Sequence, residues 1–129
     1  TLAILTDIHL RVLPMAETEV TLQLACDAAS ALDTCNRLAA QPLPLSAACH
    51  LDDRLLIRLS GMQEGVQAAI DEIGGEVLDD AAQFWLQLRE QQLPFFADAR
   101  PLWRIAVAPA TAPLSLEGDT LIDWGGAQR

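Results

Sequence analysis

Apolar and polar residues alternate along several stretches of the chain, and between these lie stretches with a 3.6-residue repeat. Over residues 2–13, Leu2, Ile4, Ile8, Leu10 and Val12 share one parity, while Asp7, His9 and Arg11 take the other. This predicts a strand closed by Pro14. A second strand is predicted over 18–25, with Val20, Leu22 and Leu24 turned inward and Glu19, Thr21 and Gln23 outward. That is the half-buried pattern of an antiparallel sheet.

Asp27 is placed to cap a helix over 28–40, where Ala28, Leu32, Cys35 and Ala39 follow the helical period. Pro42 and Pro44 interrupt it. Strands over 45–51 and 54–60, joined by Asp52-Asp53, read as a hairpin. Ser60 with Gln63 spells a capping box for a helix that would bury Met62, Val66, Ala69, Ile70 and Ile73. Gly74-Gly75 stops that helix, and Glu76-Val77-Leu78 follows as a short strand. The order β-α-β-β-α-β over 18–78 predicts an α+β, ferredoxin-like antiparallel sheet with both helices on one face.

The second half restarts this order. Asp79 and Asp80 would cap a helix running to about residue 92, with Ala81, Phe84, Trp85 and Leu88 on one face. A loop over 94–101 leads to a strand over 102–108, with Trp103, Ile105 and Val107 on one parity. A Pro/Ala/Thr-rich connection over 109–118 precedes another strand over 120–124. A second β-α-β-β-α-β repeat, truncated at the C-terminus, is the expectation, and it rests on element order rather than residue identity.

Composition narrows the function classes. The chain has 129 residues, enough for one domain with its own core, and 51% of them are hydrophobic. It has no Lys and eight Arg, against 18 acidic residues, so its net charge is −10. A phosphate-binding surface needs clustered cations, so nucleic acid is excluded as a partner, and anionic lipid is disfavoured. No apolar run reaches the roughly 20 residues of a membrane span, and the first residues carry no signal-peptide pattern. Cys26, Cys35 and Cys49 make an odd number in a chain that needs no staples, which favours reduced thiols and a cytoplasmic setting. The start inside an apolar alternation and the stop after Trp124-Gly125-Gly126 suggest a piece of a longer protein.

Most candidate chemistry reduces to structure. The Cys and His residues show no CxxC, CxxH or HxxxH spacing, so no metal site is expected. Cys35 lies on a helix stripe, and Cys49 shares parity with Leu45, Ala47 and Leu51, as core thiols do. His9 and His50 read as exposed or hydrogen-bonded strand residues. Asp52-Asp53 and Asp79-Asp80 have the chemistry of turns and caps. No GxSxG, Walker A or GxGxxG motif is present, and no catalytic residue is assigned. Two segments ask for more. Pro101-Leu102-Trp103-Arg104 sets an aromatic beside a guanidinium, which is suited to grip a carboxylate at two points. Ile122-Asp123-Trp124-Gly125-Gly126 allows a sharp turn or a close backbone approach. Both also suit cores and strand ends.

These runs carry a family resemblance. Phe95-Phe96, Pro101-Leu102-Trp103-Arg104, Pro109-Ala110-Thr111-Ala112-Pro113 and Leu121-Ile122-Asp123-Trp124-Gly125-Gly126-Ala127 resemble the C-terminal part of the FAD-binding E subunit of bacterial glycolate oxidase. Gln41-Pro42-Leu43-Pro44 with Ser46, and Asp53-Arg54-Leu55 with Arg58-Leu59-Ser60-Gly61, agree with it. Thr1 to Asp7, then Leu10 and Val12-Leu13-Pro14, are similar to the last strand of the flavin domain in the wider FAD-linked oxidase superfamily.

The resemblance implies that residues 1–14 are the trailing strand of an FAD-binding domain whose remainder lies outside the chain. Residues 15–129 would be the C-terminal ferredoxin-like cap domain, itself incomplete at the C-terminus. The parent would be one subunit of a multi-subunit complex oxidising glycolate, a small 2-hydroxy acid, to glyoxylate. Thr1, Leu2, Ala3 and Ile4 would run along the edge of the flavin, with Ala3 where the family has glycine. FAD would belong to the parent, with no tight binding by this piece. Arg104 would hold the substrate carboxylate, and Trp103 or Trp124 would shape the pocket. Sister subunits would be the partners, and any membrane association would come through them. The alternatives are a non-catalytic subunit-assembly or interaction module, and a stand-alone acidic ligand-binding domain of the same fold.

Overall fold

The computed structural model describes residues 6–10, 12, 14–97 and 101–129. Its elements run in order as β1 (Thr18–Ala25), α1 (Ala28–Ala39), β2 (Leu45–Leu51), β3 (Arg54–Gly61), α2 (Gln63–Ile73), β4 (Glu76–Val77) and α3 (Ala81–Arg89). The four strands form one antiparallel sheet in the order β2-β3-β1-β4. This is the ferredoxin-like arrangement expected from the order of the elements.

Local chemistry sets these boundaries. The Asp27 carboxylate accepts the Ser30 N–H at 2.8 Å and so satisfies one of the orphan donors of α1. Asp52 and Asp53 sit at φ of 51° and 54°, and a two-residue hairpin turn with positive φ at both positions matches the right-handed twist of β2 and β3. Gly74 and Gly75, at φ of 71° and 92°, end α2 in backbone that a side chain would strain.

Two cores lie on opposite faces of the sheet. Leu22, Leu55, Ile57 and Leu59 are buried under Ala31, Cys35 and Leu38 of α1 and Val66 and Ala69 of α2. On the other face, Cys49 and Leu56 pack with Trp85 of α3, Leu93 and Leu121. The indole of Trp85 donates to the Thr21 hydroxyl at 2.9 Å, which satisfies both polar groups out of water.

The chain beyond α3 carries the sheet past the β2 edge by single bridges. Ile122 exchanges backbone hydrogen bonds with His50 at 2.8 and 3.0 Å. Asp123 and Ala106 each bridge Gln128. Ile105 and Arg129 exchange bonds at 2.9 and 3.0 Å, and the Val107 N–H reaches the Ala127 carbonyl at 3.0 Å. Three short extended pieces thus lie side by side outside β2.

Several sequence expectations need correction. Thr21 does not face solvent, because α3 covers the sheet face it occupies, leaving it 3% exposed. Ser60 does not cap α2. The N-cap is Met62, which is 70% exposed rather than buried, and the Gln63 N–H is met by the Glu17 carboxylate at 3.3 Å. Asp80 precedes α3 in a left-handed conformation with no side-chain cap, and the helix ends at Arg89. No strand forms over residues 6–10 or at 12, where Ile8, Leu10 and Val12 are exposed with no sheet beside them. The rest of the 2–13 expectation lies outside the described residues. The 102–108 and 120–124 stretches form bridges rather than ladders, because among the described residues their partner is only the 127–129 segment or a single residue of β2.

Candidate functional site

A cleft of about 640 Å³ lies between the end of α3, a 3₁₀ turn at Pro94–Ala97 and the segments around 101–105 and 116–124. Leu88, Phe95, Phe96 and Leu121 supply apolar wall. Trp103, Arg104 and Trp124 all line it, so the two residue runs singled out in the sequence meet in one place. Their convergence follows from the bridges: Gln128 pairs with Ala106 on one side and Asp123 on the other.

Trp103 and Trp124 are 78% and 70% exposed, so neither is a core residue. Trp124 holds φ of 53°, a costly conformation for a bulky side chain. The turn over-determines it. The Trp124 N–H donates to Asp123 Oδ1 at 2.7 Å, and the Gly126 and Ala127 N–H groups close onto the Asp123 and Trp124 carbonyls, each at 3.2 Å. Gly126, at φ of 104°, fits where a Cβ would stand 2.7 Å from the Pro109 oxygen and 2.9 Å from Leu32 Cδ2. This glycine therefore lets the turn seat against α1.

Arg104 is exposed and makes no hydrogen bond or ion pair among the described residues. Burial pushes the Asp123 carboxyl up from its usual range, while the Trp124 N–H and the Arg104 charge pull the other way. The other two cleft arginines are committed. Arg89 pairs with Glu90 at 2.8 Å, and the buried Arg129 donates to the carbonyls of Gly126 and Thr111. The cleft therefore offers one guanidinium with no partner among the described residues, aromatic walls and a half-buried carboxylate. Such a set can orient a small anion, with aromatic surface left over.

The other candidates fall elsewhere. Thr1, Leu2, Ala3 and Ile4 lie outside the described residues. Cys35 and Cys49 are buried, and desolvation pushes both thiols up, Cys35 to about 11. His50 is buried, with Nε2 2.9 Å from the Cys26 carbonyl, and it bridges Ile122 as a structural residue. His9 is exposed. Among the described residues no group of His, Cys, Asp or Glu is arranged to hold a metal ion, and no helix is long and apolar enough to cross a membrane. Sequence reasoning assigned no role to Asp123 or Arg129; the Asp-Trp step beside Gly-Gly carried the only signal for the former.

The fold and cleft define an α+β domain of ferredoxin-like order with an aromatic, arginine-bearing groove beside its sheet. Along 99% of its length the chain is 45% identical, over 129 residues, to glycolate oxidase subunit GlcE of Escherichia coli (strain K12). It is thus homologous to a segment of a glycolate oxidase E subunit, as its residue runs indicated. The chain spans 36% of that relative's length. No family model matches it, and no solved structure matches it.

Proposed function

We propose that this chain is the C-terminal cap domain of an FAD-dependent glycolate oxidase subunit, with the 101–128 cleft lining the substrate end of its site. The 45% identity to a glycolate oxidase subunit, together with the convergence of Arg104, Trp103 and Trp124 on one cleft, supports this reading. The Arg104 guanidinium would take the substrate carboxylate in two-point fashion, which fixes the orientation of the adjacent carbinol carbon. Trp103 and Trp124 would wall the pocket and exclude water around that carbon.

The cleft suits the edge of a flavin rather than the whole cofactor. Its roughly 640 Å³ exceeds what a two-carbon acid fills, and its aromatic walls match a flat ring. The sequence carries no glycine-rich loop to cradle a pyrophosphate. FAD would be held by the rest of the parent subunit, and its chemistry when bound is to accept the hydride equivalent that leaves the 2-hydroxy acid. Residues 1–14 would belong to that flavin domain, with Thr1 to Ile4 along the flavin edge. Ile8, Leu10, Val12 and Met15, all strongly exposed here, would be covered by it.

A second reading is a non-catalytic assembly module, favoured by the same exposed apolar residues together with Trp103 and Trp124, which sister subunits could cover. One experiment separates the two. The full-length subunit is purified with its flavin and mixed anaerobically with glycolate. Bleaching of this subunit's flavin supports the cap-domain reading. Flavin that stays oxidised while the assembled complex turns over supports the assembly module.

A further inference from the structure

We infer that Asp123 sets the affinity of the cleft: its carboxylate shares the cleft with Arg104, is tethered to the Trp124 N–H, and weakens the hold of Arg104 on an anionic ligand. This inference rests on the proposed role of Arg104 as the carboxylate holder.

The geometry fixes Asp123 independently of any ligand. Its backbone is clamped to Gln128 by N–H to O bonds in both directions, at 3.0 and 3.2 Å. Gln128 bridges Ala106, two residues along the chain from Arg104. One carboxylate oxygen, Oδ1, is occupied by the Trp124 N–H at 2.7 Å. The side chain therefore cannot swing away to solvent without releasing the turn that carries Trp124. Asp123 and Arg104 line the same cleft, and the other two cleft arginines are engaged elsewhere. A negative charge fixed in the same cleft as the guanidinium lowers the local potential that draws in an anion. The same group supplies the hydrogen bond that holds Trp124 in its left-handed conformation. Charge and hydrogen bond thus act in opposite directions on binding, and substitution can separate them.

Asp123→Asn keeps an oxygen for the Trp124 N–H and removes the charge. In the assembled complex containing the full-length subunit, it is expected to lower the KM for glycolate about three- to tenfold, with kcat changed far less. The Ki of acetate, a carboxylate with no hydroxyl to oxidise, should fall in parallel. Asp123→Ser also leaves an acceptor without charge, so it repeats the test if the Asn variant fails to assemble. Asp123→Ala, which loses the acceptor as well, should not show the gain. A merely structural Asp123 would give weaker binding in every variant.

Arg104→Ala is measured alongside. If Arg104→Ala weakens glycolate while the Asn and Ser variants leave KM and Ki unchanged or raised, this inference is overturned and the site reading stands. If Arg104→Ala leaves both constants unchanged, the site reading itself fails, and the inference with it. In the Arg104→Ala/Asp123→Asn double variant, the gain from the Asn substitution should vanish.

Discussion

The indole N–H of Trp85 and the hydroxyl of Thr21 meet at 2.9 Å on the sheet face opposite α1 and α2. This bond, made in a buried setting, pins α3 across β1. Helix α3 and the turn after it form one side of the cleft, so this contact helps position the site. Thr21→Val would leave the indole N–H buried without a partner. It is expected to destabilise the fold by about 1–3 kcal/mol, read as a lower urea midpoint at unchanged slope.

Gly126→Ala places a methyl against the Pro109 carbonyl and Leu32, at a φ of 104° that an L side chain resists. Backbone strain alone predicts a loss of roughly 1–3 kcal/mol. The turn carrying Trp124 should loosen, so the tryptophan fluorescence should shift in a Trp103→Phe background while the helical circular dichroism is retained.

Asp27 titrates below its ordinary value of 3.8, chiefly because the Ser30 N–H bonds to its carboxylate. A depressed pKa means that the unfolded chain binds the proton more tightly. The stabilisation is therefore complete above the unfolded value and is lost as pH falls through the folded one. Urea midpoints measured downward from about pH 6 should show this loss, and Asp27→Asn, which keeps the cap without the proton, should flatten it.

Cys35 moves the other way, with burial on the inner face of α1 pushing its thiol from 9.0 to about 11. A raised pKa means that the folded state keeps a proton the unfolded chain gives up. Stability should be complete below about pH 9 and fall between there and about pH 11. Cys35→Ala should remove part of that slope. At neutral pH, Cys35 and Cys49 should react with a thiol reagent only as fast as the protein unfolds.

The ferredoxin-like half was legible because its signals are local. Alternation sets the faces of β1 to β3, Asp52-Asp53 makes the hairpin turn, Asp27 caps α1, and Gly74-Gly75 stops α2. What was missed depends on contacts distant in sequence. Alternation shows that Thr21 and Glu19 share a face, but not that α3 covers Thr21 while Glu19 stays exposed. Ser60 has the spacing of a cap, yet Glu17, 46 residues before Gln63, supplies the acceptor. For the site, the Trp103-Arg104 and Asp123-Trp124-Gly125-Gly126 runs were legible as unusual residue types. Their meeting depends on Gln128 lying between two segments, and no periodicity encodes that.

The proposed function turns on Arg104 gripping the substrate carboxylate. The most direct test is the KM for glycolate of the assembled complex carrying Arg104→Ala in the full-length subunit. A rise of more than about tenfold is expected, as for the loss of a two-point charge-assisted contact. An unchanged KM would contradict it.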